Sequence, residues 1–129
     1  MKRYLLDVNL VLRFLLQDNL AQYREARAVF ASAKANKMKI KLMSEVVMEA
    51  EYVLRKLYKV PRLVIAKKVS DILKNNYLEV EKKTLLLQSL RKYGEVNVID
   101  LVDILLYFQA VEENCEILSF DKDFKKLAK

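Results

Sequence analysis

Two aspartates follow short apolar runs that are typical of β-strands. Asp7 comes directly after residues 4–6, and Asp121 comes directly after residues 117–120. In an open parallel sheet, sites form beyond the carboxyl ends of the strands, so both carboxylates are expected at the same edge. Each aspartate could instead be a helix N-cap, a position that aspartate favours. For the pair, we favour a shared site.

Asp103 is a third candidate, because it interrupts a segment that is apolar on nearly every side. Residues 99–106 read IDLVDILL, and residues 93–121 contain no lysine or arginine. Burying a carboxylate is costly unless it is paired or binds a metal ion. An ordinary core helix would avoid this residue, so we interpret Asp103 as functional.

Asp100 lies three residues before Asp103, on the same side of the predicted helix. Its spacing from Asn97 matches a capping box with aspartate in place of glutamate. A capping role is therefore the stronger interpretation of Asp100, and a supporting role at the site is the weaker one.

A fourth acid is expected from the helix that follows the second predicted strand. Glu45, Glu49 and Glu51 all lie there. At about 100° per residue, the apolar side of this helix is centred near Ala50, with Glu49 and Glu51 on opposite flanks. Glutamates on a helix surface usually face solvent, and the periodicity does not choose among the three.

The available side chains favour a hard cation over thiol or imidazole chemistry. The sequence has no histidine and a single cysteine, Cys115, which lies in an apolar run and is predicted to be a buried strand residue. Mg²⁺ and Mn²⁺ prefer oxygen ligands. One or two such ions could activate water and stabilise the charge that develops at a phosphodiester. The net charge of +7 favours phosphate-rich partners, so the sequence predicts a protein that is drawn to nucleic acid.

Short strands alternate with helical segments along the chain. Strands are expected at residues 3–6, 38–43, 78–80 and 117–120. The first helix is expected at 9–16, and the second after a cap at Asp18 or Asn19. A third covers 46–57, a fourth runs from Pro61 to about 73, and a fifth runs from a cap at Thr84 to Tyr93, with Gly94 just beyond its end. A sixth follows a cap at Asn97, and a short last helix lies around 124–127. This alternation predicts one three-layer α/β domain over residues 1–129, with a mainly parallel sheet flanked by helices.

The sequence also predicts a soluble, cytoplasmic protein. No uninterrupted apolar run reaches the length of about 18 residues that a membrane span needs. The first residues are briefly like a signal peptide, but Asp7, Asn9 and Arg13 interrupt the run. A single cysteine fits a reducing compartment.

Four segments resemble the conserved blocks of PIN-domain ribonucleases of the VapC toxin kind. They read LDVNLVLRFLLQD at 6–18, SEVVMEAEYVL at 44–54, DLVD at 100–103 and SFDKDF at 119–124. The blocks occur in the family's order and cover nearly the whole chain. In the second block the family's catalytic glutamate lies five residues before the leucine, and this resemblance selects Glu49 over Glu45 and Glu51.

The resemblance implies a metal-dependent endoribonuclease that cuts RNA and is usually a homodimer. It also implies that a cognate antitoxin from the same operon inhibits the enzyme. Mg²⁺ or Mn²⁺ would be held by four acids, which are Asp7, Glu49, Asp103 and Asp121. Asn9 and Ser119 match positions that support the ligands or a water molecule, and Asp100, the first acid of the third block, is a further supporting candidate. Val8 stands where the family most often has threonine, which removes a hydroxyl group from the first turn of the pocket.

Three alternatives deserve comparison. A PIN-like domain could have lost cleavage and serve as an RNA- or protein-binding adaptor, although the four acids are present. A receiver domain would need an aspartate at the end of a middle strand, and none occurs between Asp18 and Asp71. A basic DNA-binding module would leave Asp103 unexplained, and no recognition-helix motif is evident.

Overall fold

The computed structural model describes residues 1–128, which form seven helices and three short strands. In chain order these are β1 (Arg3–Leu5), α1 (Val8–Leu16), α2 (Leu20–Lys34), β2 (Lys39–Leu42), α3 (Ser44–Lys56), α4 (Arg62–Leu73), β3 (Leu78–Val80), α5 (Lys83–Glu95), α6 (Leu101–Glu113) and α7 (Asp123–Leu127). No helix among these residues is long and apolar enough to cross a membrane.

The three strands form one parallel sheet in the order β1-β2-β3. Tyr4 pairs with Ile40, and Ile40 pairs with Leu78 on the other side. Parallel neighbours need crossover connections, which are provided here by α1 with α2 and by α3 with α4. The predicted α/β class, with helices and a parallel sheet, is confirmed.

The two faces of the sheet differ in their cover. Ile40 and Leu42 of β2 are each only 1% exposed and belong to the core. On the opposite face Lys39 is exposed, and Arg3 pairs with Glu79 at 2.8 Å. Helices therefore cover one face well, whereas the charged face stays open to solvent over the described residues.

The N-terminus of α3 is fixed by a residue that follows β3. A single carboxylate oxygen of Glu81 accepts hydrogen bonds from the backbone N–H of Ser44 at 3.0 Å and from its hydroxyl at 2.6 Å. These two bonds lower the pKa of Glu81. The contact satisfies a backbone donor that the helix itself leaves unpaired, and so it sets the start of the helix that carries Glu49.

Helices α4 and α5 pack closely around Gly94. We predicted that α5 stops at Tyr93, with Gly94 just beyond it, but the helix continues to Glu95. A Cβ atom at Gly94 would lie 3.2 Å from the Cβ of Ala66. Gly94 is therefore present for close helix packing, and the prediction of a helix end was wrong.

Three predicted helix starts can be compared with the structure. The cap at Asn19 is confirmed, because its side chain accepts a hydrogen bond from the N–H of Gln22 at 3.1 Å. The predicted cap at Thr84 was wrong, since α5 begins at Lys83 and its N-cap is Lys82, which has a left-handed conformation. The predicted cap at Asn97 was also wrong, because Asp100 is the N-cap of α6.

The predicted strand at residues 117–120 does not form. Helix α6 ends at Glu113, its C-cap Asn114 is left-handed, and the N–H of Cys115 bonds to the Ala110 carbonyl at 2.8 Å. The segment that follows lies outside the sheet, with Leu118 and Phe120 almost fully exposed. Cys115 is likewise exposed, which corrects its prediction as a buried strand residue.

Candidate acidic site at the start of α6

Asp103 lies in the first turn of α6 and is partly buried. Desolvation raises its pKa, and the charges of Asp100, Asp121 and Asp123 raise it further. We call these four aspartates the acidic cluster. The structure therefore brings two predicted metal ligands, Asp103 and Asp121, into one electrostatic environment together with the predicted supporting residue Asp100.

Asp121 is held by a local turn that leads into α7. Its N–H donates to the Ser119 hydroxyl at 2.9 Å, and its carboxylate accepts a hydrogen bond from the N–H of Asp123 at 2.9 Å. The side chain of Ser119 thus fixes the backbone that carries Asp121. This contact explains Ser119 as a turn former, and its predicted role in supporting ligands or a water molecule stays a prediction.

Asp7 is exposed and occupies the N-cap position of α1. Its carbonyl accepts backbone bonds from Leu10 and Val11, but its carboxylate makes no capping hydrogen bond. Asp100 is also an N-cap residue whose side chain makes no capping bond. At both positions the carboxylate makes no hydrogen bond to the first turn of the helix. Side-chain capping therefore does not explain these aspartates, which favours a functional interpretation.

Glu49 and Glu51 occupy different environments on α3. Glu49 is exposed, whereas Glu51 is only 4% exposed. One oxygen of Glu51 accepts hydrogen bonds from the Tyr93 hydroxyl at 2.5 Å and from Arg55 Nε at 2.6 Å. Because the Glu51 carboxylate is hydrogen-bonded inside the protein, Glu49 is the more accessible of the two as a metal ligand, in agreement with the family resemblance. The catalytic role of Glu49 stays a prediction.

The four predicted ligands do not converge in this conformation. The charges that raise the pKa of Asp103 do not include those of Asp7 or Glu49. Among residues 1–128, no three acidic or cysteine side chains lie close enough together to hold a metal ion. The expectation that placed Asp7 beside Asp121 required two adjacent strand ends, and the second of those strands is not formed.

The supporting residue Asn9 lies on the exposed side of α1. It lines a surface cleft between α1 and α2 together with Arg13 and Gln22. A broader cleft of about 620 Å³ lies between α4 and α5, and its lining includes Lys67 and Arg91 but none of the four predicted ligands. The shape of the surface therefore does not mark the acidic cluster, which is identified by its charges.

The sequence interpretation missed a polar network beneath the acidic cluster. Glu51 pairs with Arg55, which raises the pKa of Arg55, and the other arm of the same guanidinium lies 4.0 Å from Asp100. Desolvation and the hydrogen bond to Glu51 both raise the pKa of Tyr93, so its hydroxyl stays protonated as a donor. The four-residue spacing of Glu51 and Arg55 was the available sequence signal.

Among the comparisons with known proteins, only the comparison with family models gave a match. A family model described as PIN domain matches residues 4–129, a span that includes all four predicted ligands. No curated protein and no solved structure matches the chain.

Proposed function

The chain belongs to the PIN domain family, and on that premise we propose that it is a metal-dependent endoribonuclease, the toxin of a type II toxin–antitoxin pair. PIN domains are generally nucleases, so a nuclease-type function follows from the family. RNA as the substrate and the role as a toxin are our proposals. The observation that supports metal dependence is Asp103, a partly buried carboxylate beside other aspartates at the start of α6, whereas RNA and the toxin role rest on the family resemblance and the net charge of +7.

The chemistry of the donor set suits Mg²⁺ or Mn²⁺. The predicted ligands Asp7, Glu49, Asp103 and Asp121 are all carboxylates, and the chain has no histidine. The charges that raise the pKa of Asp103 all belong to aspartates, so a divalent cation bound beside them would relieve this repulsion. When bound, one or two ions would supply an activated water molecule and stabilise charge at the phosphodiester.

The proposal requires Asp7 and Glu49 to approach the acidic cluster when metal or RNA binds. Residues 115–120, which precede Asp121, belong to no helix or strand. Their position is therefore not fixed by a ladder of backbone hydrogen bonds, and a change in this segment would move Asp121 relative to Asp7. The cost of this change would be offset by metal coordination.

The protein's own side chains would bind and orient RNA around this site. The surplus of lysine and arginine attracts the phosphate backbone, whereas the carboxylates repel it until metal is present. Asn9 and Ser119 would orient ligands or a water molecule. Val8 is buried and offers no hydroxyl, so any positioning that threonine provides in the family falls to neighbouring polar groups.

Two partners belong to the proposal. A cognate antitoxin would insert a basic side chain among the aspartates of the acidic cluster and so block the metal site. A second copy of the chain would cover apolar side chains that are exposed on and beside α6, including Val98, Val102 and Leu106.

One observation favours a second candidate function, a silent PIN-like adaptor that binds RNA or protein without cutting it. Among residues 1–128 no three acidic side chains form a metal site. In an adaptor, the separation of Asp7 and Glu49 from Asp103 would persist in the presence of metal. Metal binding therefore separates the two functions more directly than the fold does.

The deciding experiment is RNA cleavage by the purified protein with Mg²⁺ or Mn²⁺, beside a chelator control. We expect Asp7→Asn and Asp103→Asn to lose more activity than the ~10–100-fold that the loss of an outer-shell partner costs. Asp71→Asn is a matched control, because Asp71 is an exposed acid on α4 that faces Lys67. Equal activity in Asp103→Asn and the wild type would refute the metal role of Asp103.

Calorimetry with Mn²⁺ resolves the case in which no RNA is cut. Binding that is lost in Asp103→Asn would indicate a nuclease with narrow sequence specificity. An absence of binding in the wild type would reject the enzyme and favour the adaptor.

A further inference from the structure

Arg62 of α4 holds the connection between α5 and α6. Its guanidinium donates hydrogen bonds to the carbonyls of Tyr93 at 3.3 Å, Val96 at 3.0 Å and Ile99 at 2.5 Å. It also lies 3.9 Å from the centre of the Tyr93 ring. One side chain therefore satisfies carbonyls at the end of α5 and along the turn that leads into α6.

Arg55 of α3 reaches the same turn at Asp100. Its Nε donates to the buried Glu51, and its Nη2 lies 4.0 Å from a carboxylate oxygen of Asp100. The side chain of Asp100 is 61% exposed, so this ion pair contributes little stability by itself. Its importance is geometric, because Asp100 is the residue at which α6 begins.

Glu51 and Tyr93 fix the position of Arg55. The Glu51 carboxylate is buried, and a buried charge persists only when it is paired and hydrogen-bonded. The Tyr93 hydroxyl and Arg55 Nε both donate to the same oxygen. Side chains of α3 and α5 thereby confine the guanidinium group that faces α6.

The turn between α5 and α6 determines where Asp103 lies. The N–H groups of Asp103 and Ile104 both bond to the Asp100 carbonyl at 3.1 Å. A shift of Asp100 would therefore carry the first turn of α6, and the carboxylate of Asp103, with it.

We propose that Arg55 and Arg62 are positioning residues, which hold the turn between α5 and α6 in the conformation that presents Asp103 to the metal ion. This inference rests on the proposed function for its consequence in catalysis, but the positioning itself can be measured without activity. Arginine suits both sites because its rigid planar fork directs Nε and Nη2 towards separate groups, whereas the lysine ammonium is a compact point charge on a flexible stem.

The proposal is tested by three matched substitutions: Arg55→Lys, Arg62→Lys and the control Arg91→Lys. Arg91 lies on the exposed side of α5 and pairs only loosely with Glu95, at 3.9 Å. All three substitutions keep the charge and remove the fork. We expect Arg55→Lys and Arg62→Lys to weaken Mn²⁺ binding by about 10–100-fold, the usual effect of losing an outer-shell partner, and Arg91→Lys to leave it unchanged.

Hydrogen exchange provides the readout that does not depend on metal. In Arg55→Lys and Arg62→Lys, the amides of Asp103 and Ile104 should exchange about tenfold faster, as expected for local opening, while amides of α2 keep their wild-type rates. A uniform acceleration in all helices would indicate general destabilisation and would overturn the proposal. If Arg62→Lys does not fold, Arg55→Lys decides, because Arg55 lies near the surface.

The two inferences fail in different ways. If the wild type binds no Mn²⁺ and cuts no RNA, the proposed function is wrong, and exchange at Asp103 still decides whether the arginines position it. If the wild type binds Mn²⁺ but the two lysine variants match it in metal affinity and in exchange at Asp103, the positioning role is wrong and the proposed function stands.

Discussion

At the scale of single residues, the metal-free protein contains a carboxyl group that folding makes harder to ionise. Desolvation raises the pKa of Asp103, and the neighbouring aspartates raise it further. The folded state therefore binds more protons than the unfolded state between the ordinary value of 3.8 and the raised value. Across that window stability falls as the pH rises, and at neutral pH the full destabilisation is present.

Asp103→Asn should accordingly raise the free energy of unfolding of the metal-free protein at neutral pH, because it removes the repelled charge. The gain should shrink as the pH falls through the raised pKa towards 3.8. Urea unfolding at several pH values, in chelator, measures this difference. Adding Mn²⁺ should reverse the order, since metal stabilises only the protein that binds it. A gain that persists unchanged at acid pH would show that charge is not its cause.

At the scale of secondary-structure elements, the contact between α4 and α5 at Gly94 sets their separation. Gly94→Ala would increase helix propensity by about 1 kcal/mol. The added methyl would, however, lie 3.2 Å from the Cβ of Ala66, which is attached to the α4 backbone and cannot rotate away. Overpacking costs about 1–3 kcal/mol, so we expect a net destabilisation of up to about 2 kcal/mol.

Denaturant unfolding of Gly94→Ala, Ala66→Gly and the double variant measures this contact. Removing the Ala66 methyl group makes room for the new one, so the double variant should be more stable than the sum of the single effects predicts. Additive effects would mean that α4 and α5 move apart without cost, and that Gly94 is present for another reason.

Residues near Gly94 and at 117–120 show why local patterns predicted some elements and missed others. The long amphipathic segments, such as α2 with its Asn19 cap, were predicted because propensity and burial agree there. Gly94 was misassigned because a glycine near a helix end has the same local signal whether it terminates the helix or makes room for a neighbour. The strand at 117–120 depended on a tertiary partner, which three apolar residues and a serine cannot secure alone.

The candidate site divides in the same way. Asp7, Asp103 and Asp121 could be selected from their positions after strand-like runs or within an apolar helix. The choice of Glu49 needed the family resemblance, because helical phase alone placed Glu49 and Glu51 symmetrically. The contacts of Arg62 with three carbonyls could not be predicted, since they depend on how α4 lies against the α5–α6 turn.

At the scale of the whole molecule, the charge is divided between two parts of the chain. Residues 93–121 contain seven acidic residues and no lysine or arginine, although the chain as a whole has a net charge of +7. The basic residues therefore lie outside the segment that carries α6 and most of the acidic cluster. RNA should be attracted to the basic part, and close approach of two α6 segments should be opposed by their own charge.

This division predicts opposite salt dependences for RNA binding and for dimer formation. RNA affinity should fall as KCl rises, because phosphate contacts release counterions. Dimerisation through the apolar side chains near Leu106 should strengthen with salt, since repulsion between acidic segments is screened while apolar burial remains.

Leu106→Glu should weaken the dimer at least about tenfold, the effect of placing an uncompensated charge in an apolar contact. Leu63→Glu, at an exposed leucine on α4, is the control. Light scattering across a KCl series measures the oligomeric state. A dimer that dissociates as salt increases, or that tolerates Leu106→Glu, would place the interface on a different surface.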